Sequence, residues 1–177
     1  MKIGLIVGSL RKDSWNRKVA EEVKKLFPED VEAKFIEIKD LPLYNMDIDT
    51  PDETESYKVF RENLRDCDGF IFFTPEYNRS MPAAVKNALD VGSRDPKGNP
   101  WAGKRAAVFS SSPGGFGGMA ANHALRQVFV FLDIIPIQQP EVYLSKVDTL
   151  FEGESLKEGT REFLRCAVMT LVNSIKK

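Results

Sequence analysis

The sequence predicts an α/β protein with a parallel β-sheet covered by helices on both faces. Three observations carry that prediction. Strand-like apolar runs alternate with amphipathic helical stretches along the 177 residues. Two of those runs, 69–73 and 106–109, are continuously apolar, as expected of strands buried on both sides. The helical stretches place their apolar residues at intervals of three and four, which makes one buried face each.

Taken in order, residues 2–7 read as a short buried strand that stops at Gly8. Trp15, Val19, Val23, Leu26 and Phe27 then share one helical face. Residues 31–38 alternate weakly, with Val31, Ala33 and Phe35 opposite Glu32 and Lys34, which suits an edge strand. Residues 40–52 carry Pro42, Pro51 and several acids and read as a loop. Tyr57, Phe60 and Leu64 mark a second helix before the buried strand 69–73. Residues 83–91 make a third helix, with Gly92 as its stop. A turn-rich insert at 95–100 precedes the fourth strand, 106–109. Residues 119–132 form a fourth helix. The stretch 134–137, interrupted by Pro136, leads into Val142 and Tyr143 as one fifth strand region. Phe163, Leu164, Ala167, Val168, Leu171, Val172 and Ile175 give a closing helix. The length fits one domain spanning residues 1–177.

Composition removes several classes of function. The 25 basic and 26 acidic residues leave a net charge of −1, without the basic excess that a nucleic-acid partner calls for. No run approaches the 18 apolar residues of a membrane span, so no membrane partner is expected. The first residues already read as strand and leave no room for a signal peptide, so a cytoplasmic protein with reduced thiols is expected. Two distant cysteines, Cys67 and Cys166, and one histidine, His123, leave little material for a zinc site.

In open parallel sheets, ligands bind beyond the carboxyl ends of the strands. The loop after the first strand holds Ser9, Arg11, Ser14 and Asn16 just before a helix start. Unpaired N–H groups and a positive dipole end attract phosphate there. Ser14 also reads as a simple helix cap. The glycine pattern of dinucleotide folds and the P-loop are both absent, and no cysteine nucleophile lies in this loop. Binding a terminal phosphate therefore fits better than transferring one.

The loop after the third strand, 74–82, is stiffened by Pro75 and Pro82. It offers an aromatic face at Tyr77 and a donor and acceptor at Asn78. The loop after the fourth strand contains Ser111, Gly114 and three further glycines. These permit close backbone approach to a ligand, although a plain flexible turn would look the same. Together the three loops describe a cleft for a phosphate tail and a planar ring with polar edges.

With these residues in place, the chain resembles the NAD(P)H-dependent FMN reductase family, in particular its bacterial quinone and chromate reductase branch. Three motifs carry the resemblance. They are Gly8-Ser9-x-Arg11-x-x-Ser14-x-Asn16, then Pro75-Glu76-Tyr77-Asn78 continuing to Lys86-Asn87-Ala88-Leu89-Asp90, and Ser112-Pro113-Gly114 with Leu125-Arg126-Gln127. The resemblance implies a flavodoxin-like three-layer sandwich with a five-stranded parallel sheet in the order 2-1-3-4-5. It implies bound FMN, with its phosphate on Ser9, Arg11, Ser14 and Asn16. The ring would lie against Pro75, Glu76, Tyr77 and Asn78, with backbone N–H groups reaching its polar edge, and Ser111 and the loop from Gly114 would close its pyrimidine side.

NAD(P)H would be the cosubstrate. Small-molecule electron acceptors such as quinones, chromate or azo compounds would take the electrons at the same site, giving ping-pong kinetics. No side chain need act as a general base. The helix start after Gly117 is expected to face the cleft and stabilise charge on the reduced ring. Glu76 either tunes the flavin or hydrogen-bonds its own loop. A flavodoxin-type carrier is the alternative, but such carriers favour strongly acidic surfaces.

Outside the cleft, His123 reads as a surface or interface residue of the fourth helix. Asp47 and Asp49 read as a solvated acidic face. No G-x-S-x-G elbow supports a hydrolase. Residues 128–132 are apolar at five consecutive positions, which is all the way round a helix. A lone domain would leave one side wet, so a homodimer or homotetramer interface is expected there.

Overall fold

A computed structural model describes residues 1–50 and 54–177. Six β-strands form one parallel sheet. These are β1 (Lys2–Val7), β2 (Glu32–Phe35), β3 (Gly69–Thr74), β4 (Arg105–Ser112), β5 (Ile135–Pro136) and β6 (Val142–Ser145). The order is β2-β1-β3-β4-β5, with β6 also paired to β4. That is the expected order, with one correction. The fifth strand region is two short strands, because Pro136 and Pro140 remove ladder donors between them. β5 continues beside Arg105 and Ala106, and β6 beside residues 109–112.

Helices cover both faces. α1 (Trp15–Lys24) and α5 (Glu158–Ile175) pack on one side; α2 (Glu55–Arg65), α3 (Ala83–Ser93) and α4 (Met119–Leu132) pack on the other. Period-two alternation decides which strand residues serve which layer. Ile71 and Phe73 join the α1–α5 core, whereas Phe70 and Phe72 join the core under α2, α3 and α4. A small hairpin of β7 (Phe151–Glu152) and β8 (Ser155–Leu156), not foreseen in the sequence, precedes α5. The buried carboxylate of Glu22 accepts the Leu156 N–H at 3.3 Å and fastens this hairpin to α1.

The loop 40–52 is not wholly the solvated acidic face expected. Pro51 and Asp52 lie outside the described residues. Asp47 is exposed, but Asp49 makes a two-pronged ion pair with the fully buried Arg61, at 2.7 and 2.8 Å. Arg61 also donates to the Val91 carbonyl at 2.9 Å. The Asn87 side chain donates to the Pro42 carbonyl and accepts the Tyr44 N–H. An acidic stretch that reads as surface therefore anchors on α2 and α3, because a buried guanidinium needs a counter-charge.

Candidate active site

The site is built where β1, β3 and β4 end. β1 gives way to its loop at Gly8, whose N–H donates to the Phe73 carbonyl at 2.7 Å. A Cβ there would fall 2.5 Å from Val85 Cγ2, so a larger residue would push the loop off the sheet edge. Six residues later, Ser14 caps α1, its Oγ accepting the Arg17 N–H at 3.2 Å. The cap reading of Ser14 thus holds. It leaves the hydroxyl hydrogen available to a ligand. α1 has no acid in its first turn, so its positive end stays uncompensated there. Asn16 is buried, with Nδ2 3.5 Å from the Ser111 carbonyl of the fourth loop.

The third loop turns back on itself. Tyr77 and Ser80 exchange backbone hydrogen bonds at 3.0 and 2.9 Å, and Asn78 and Arg79 between them both have positive φ, 51° and 61°. This is a two-residue turn of the type in which both central residues are left-handed. Asn accepts that conformation readily, whereas Arg adopts it at a cost.

The fourth loop is shaped by Gly117, at φ +57°. A Cβ there would lie 2.7 Å from the Tyr143 carbonyl carbon, so only glycine lets the loop pass this close to β6. Two contacts tie the third and fourth loops together. Glu76 Oε2 accepts the N–H groups of Ala120 and Ala121 at 2.9 and 3.3 Å, and the Arg79 guanidinium sits 5.3 Å over the Phe116 ring.

One hollow of about 140 Å³ brings most of the expected residues together. Ser9, Arg11, Ser14 and Asn16 enter it from the first loop. Pro75, Glu76 and Tyr77 enter from the third, and Ser111 from the fourth. A second hollow of about 410 Å³ adjoins it and shares Arg11 and Tyr77. Its walls are mostly apolar, from Leu10, Pro82, Ala83 and Ala84.

The remaining expected residues sit around this hollow. Asn78 sits exposed at the tip of the turn, outside the hollow, because the turn folds away after Tyr77. Gly114 is also outside; its N–H donates to Ser112 Oγ at 3.0 Å and its carbonyl accepts the Lys146 N–H, which holds the loop against the chain beyond β6. The Glu76 carboxylate hydrogen-bonds the start of α4 rather than the backbone of its own loop. For the same reason the positive end of α4 is not free to face a bound ring. Trp15, Ser112 and Pro113 line the hollow without having been expected as site residues. Their signal was adjacency, since each neighbours an expected site residue in the chain.

Two buried polar atoms in this hollow have no partner, Asn16 Oδ1 and Ser111 Oγ. Buried polar atoms are nearly always satisfied, so the hollow is chemically incomplete. FMN fits that deficit. Its ribityl hydroxyls can donate to Asn16 Oδ1, and Ser111 Oγ can bond either way to a ring edge or a hydroxyl.

Other reactive groups are accounted for elsewhere. Burial pushes the Cys67 thiol up to about 11, which makes it a poor nucleophile. His123 lies 2.9 Å from the Tyr143 hydroxyl, and burial together with Glu141 pushes that phenol up to about 12. Among the described residues there is no cluster of three His, Cys, Asp or Glu able to hold a metal ion, and no helix long and apolar enough to cross a membrane.

Residues 1–149 match the NADPH-dependent FMN reductases as a family. The chain belongs to that family. FMN is accordingly its bound cofactor and NAD(P)H its electron donor. A quinone reductase of Pseudomonas putida is 48% identical over 175 residues, covering 98% of this chain and 94% of its own. Among solved structures, FerB from Paracoccus denitrificans, a flavoenzyme NAD(P)H:(acceptor) oxidoreductase, superposes with a TM-score of 0.92 at 34% identity, covering 99% of this chain and 97% of its own. A flavodoxin mutant from Pseudomonas aeruginosa has a TM-score of 0.59 at 18% identity over 97% of this chain and 99% of its own, a likeness of fold alone. The fold of this FMN reductase is thus flavodoxin-like.

Proposed function

We propose that this FMN reductase passes electrons from NAD(P)H to quinones, with FMN seated in the hollow between the first, third and fourth loops. The observation that carries the placement is the pair of unsatisfied buried atoms, Asn16 Oδ1 and Ser111 Oγ, opposite the uncompensated amino end of α1. Ser9, Ser14 and Asn16 would donate to the phosphate, and Arg11 at the rim would supply the fixed charge. Pro75 and Tyr77 would form the wall against the ring, with Glu76 behind them. Asn78 and Gly114 would act through backbone groups at the ring's polar edge.

Bound FMN supplies hydride acceptance and donation, so the protein's part is to place and shield the reactants. The apolar hollow beside Leu10, Tyr77 and Pro82 suits a flat, weakly polar partner such as a nicotinamide or a quinone. The 48%-identical relative from Pseudomonas putida is named for quinones, which puts them first among the acceptors. A single place for donor and acceptor excludes both from binding at once.

Two further readings belong to this proposal. An enzyme that draws on NAD(P)H would work where that dinucleotide is kept, which supports a cytoplasmic location. At the carboxyl end of α4, Val130 and Phe131 are 80% and 86% exposed, and a homodimer or homotetramer would cover them.

The test is direct. Purified protein is expected to be yellow, to bleach under NAD(P)H, and to give parallel double-reciprocal lines when NAD(P)H and a benzoquinone are varied. A colourless protein that takes up no FMN overturns the placement. Intersecting lines overturn the shared site.

A further inference from the structure

Two helices begin at the same sheet edge, and their positive ends are treated oppositely. α1 is capped by a neutral hydroxyl, that of Ser14. α4 begins at Gly118, which has no side chain to cap with, and its first turn also lacks an acid. Its cap comes from 44 residues upstream, where Glu76 accepts the Ala120 and Ala121 N–H groups.

That carboxylate has its counter-charge at the solvent edge. Its side chain is 15% exposed, and the nearest cation is the Arg79 guanidinium, 3.6 Å from Oε1 and 72% exposed to screening water. A helix start is worth about half a positive charge, so a full carboxylate over-compensates it. Glu76 also lines the hollow assigned to FMN. The phosphate end of that hollow is therefore positive, whereas the wall between the third and fourth loops carries a mostly buried carboxylate whose partner charge lies out in solvent.

We propose that Glu76 is a positioning residue that also acts electrostatically. It clamps the third loop to the start of α4 and, by its charge, holds the reduction potential of bound FMN down. Reduction brings electrons into the pocket. A negative wall disfavours their arrival and favours their departure to an acceptor. A neutral cap such as the one on α1 would leave the α4 dipole free to do the reverse. The inference rests on FMN binding in this hollow.

Glu76→Gln keeps an oxygen that can accept the α4 N–H groups and removes the charge. In an anaerobic, dye-equilibrated titration, its bound FMN is expected to be reduced at least tenfold more readily than wild type at the same potential, a rise of about 30 mV for two electrons. Glu76→Asp, which keeps the charge, should return the potential toward wild type. Arg79→Asn is an independent check, because it tolerates the left-handed turn and removes the counter-charge without touching the cap. It should move the potential the opposite way.

A Glu76→Gln change smaller than tenfold in the reduction equilibrium, or an Arg79→Asn shift of the same sign as Glu76→Gln, overturns the electrostatic role. If wild-type apoprotein takes up no FMN, the cofactor placement fails first, and a titration of FMN fluorescence quenching distinguishes that outcome from an unmoved potential.

Discussion

Replacing Ser14 by Asp separates the two roles of the residue that starts α1. Asp ranks beside Ser as a cap, and its interaction with the helix dipole offsets the desolvation of a carboxylate at this buried position, so the apoprotein should lose about 1 kcal/mol or less. A phosphate seated at this helix start would meet a carboxylate in place of a donor. Ser14 is only 3% exposed, so the new charge has little water to screen it. At about 4 Å and an effective dielectric of about 20, one pair of like charges costs about 4 kcal/mol. That is close to a thousandfold in affinity, before the lost hydrogen bond is counted. The assay is fluorescence quenching of FMN titrated into apoprotein, run beside riboflavin, which lacks the phosphate, and beside thermal unfolding. The expected pattern is unfolding within about 1 kcal/mol of wild type, riboflavin binding within threefold, and FMN binding weaker by about a thousandfold. FMN binding within threefold of wild type would mean that the phosphate lies elsewhere. An equal loss for FMN and riboflavin would mean that the loop had collapsed.

Three other outcomes follow from the same structure. Arg61→Met leaves the Asp49 carboxylate buried and unpaired, which should cost about 3–5 kcal/mol in thermal or denaturant unfolding. The Arg61 guanidinium hydrogen-bonded to Asp49 holds that carboxyl below its usual range, so its stabilisation is present above about pH 4 and is lost as pH falls through the lowered value. Asp66, held at about 2 by hydrogen bonds from Lys2 and then Lys34, acts in the same window, and Asp49→Asn should flatten the acid limb of a stability–pH curve. Phe131→Asp should shift light scattering toward the 20.0 kDa chain mass while leaving FMN uptake intact, and an unchanged assembly would place the interface elsewhere.

The elements most legible in the sequence were those whose local pattern and packing agree. The runs that became β3 and β4 are apolar throughout because both faces are covered, and the helix faces of α1, α2 and α5 show in their spacing. Ser14 was legible as a cap, since a short hydroxyl side chain stands directly before the helix start. The β5–β6 division was harder to see. Its two halves are short, and what joins them to the sheet is the shared neighbour β4 rather than any pattern of their own. Asp49 read as surface because nothing nearby in sequence shows that Arg61, twelve residues on, is fully buried.

Local chemistry along the chain was enough to establish the class of fold and to point to one sheet edge and the kinds of group gathered there: hydroxyls and an amide before a helix, an aromatic wall, a glycine-rich return. Those are properties of neighbours within a few residues. Long-range geometry settled the rest. Tyr77 faces the hollow while Asn78 leaves it, because a left-handed turn intervenes. Glu76 serves α4 rather than its own loop, because folding brings an uncapped helix start within 3 Å of a carboxylate 44 residues away. An unsatisfied N–H group takes the nearest acceptor in space, and distance along the chain does not enter that choice.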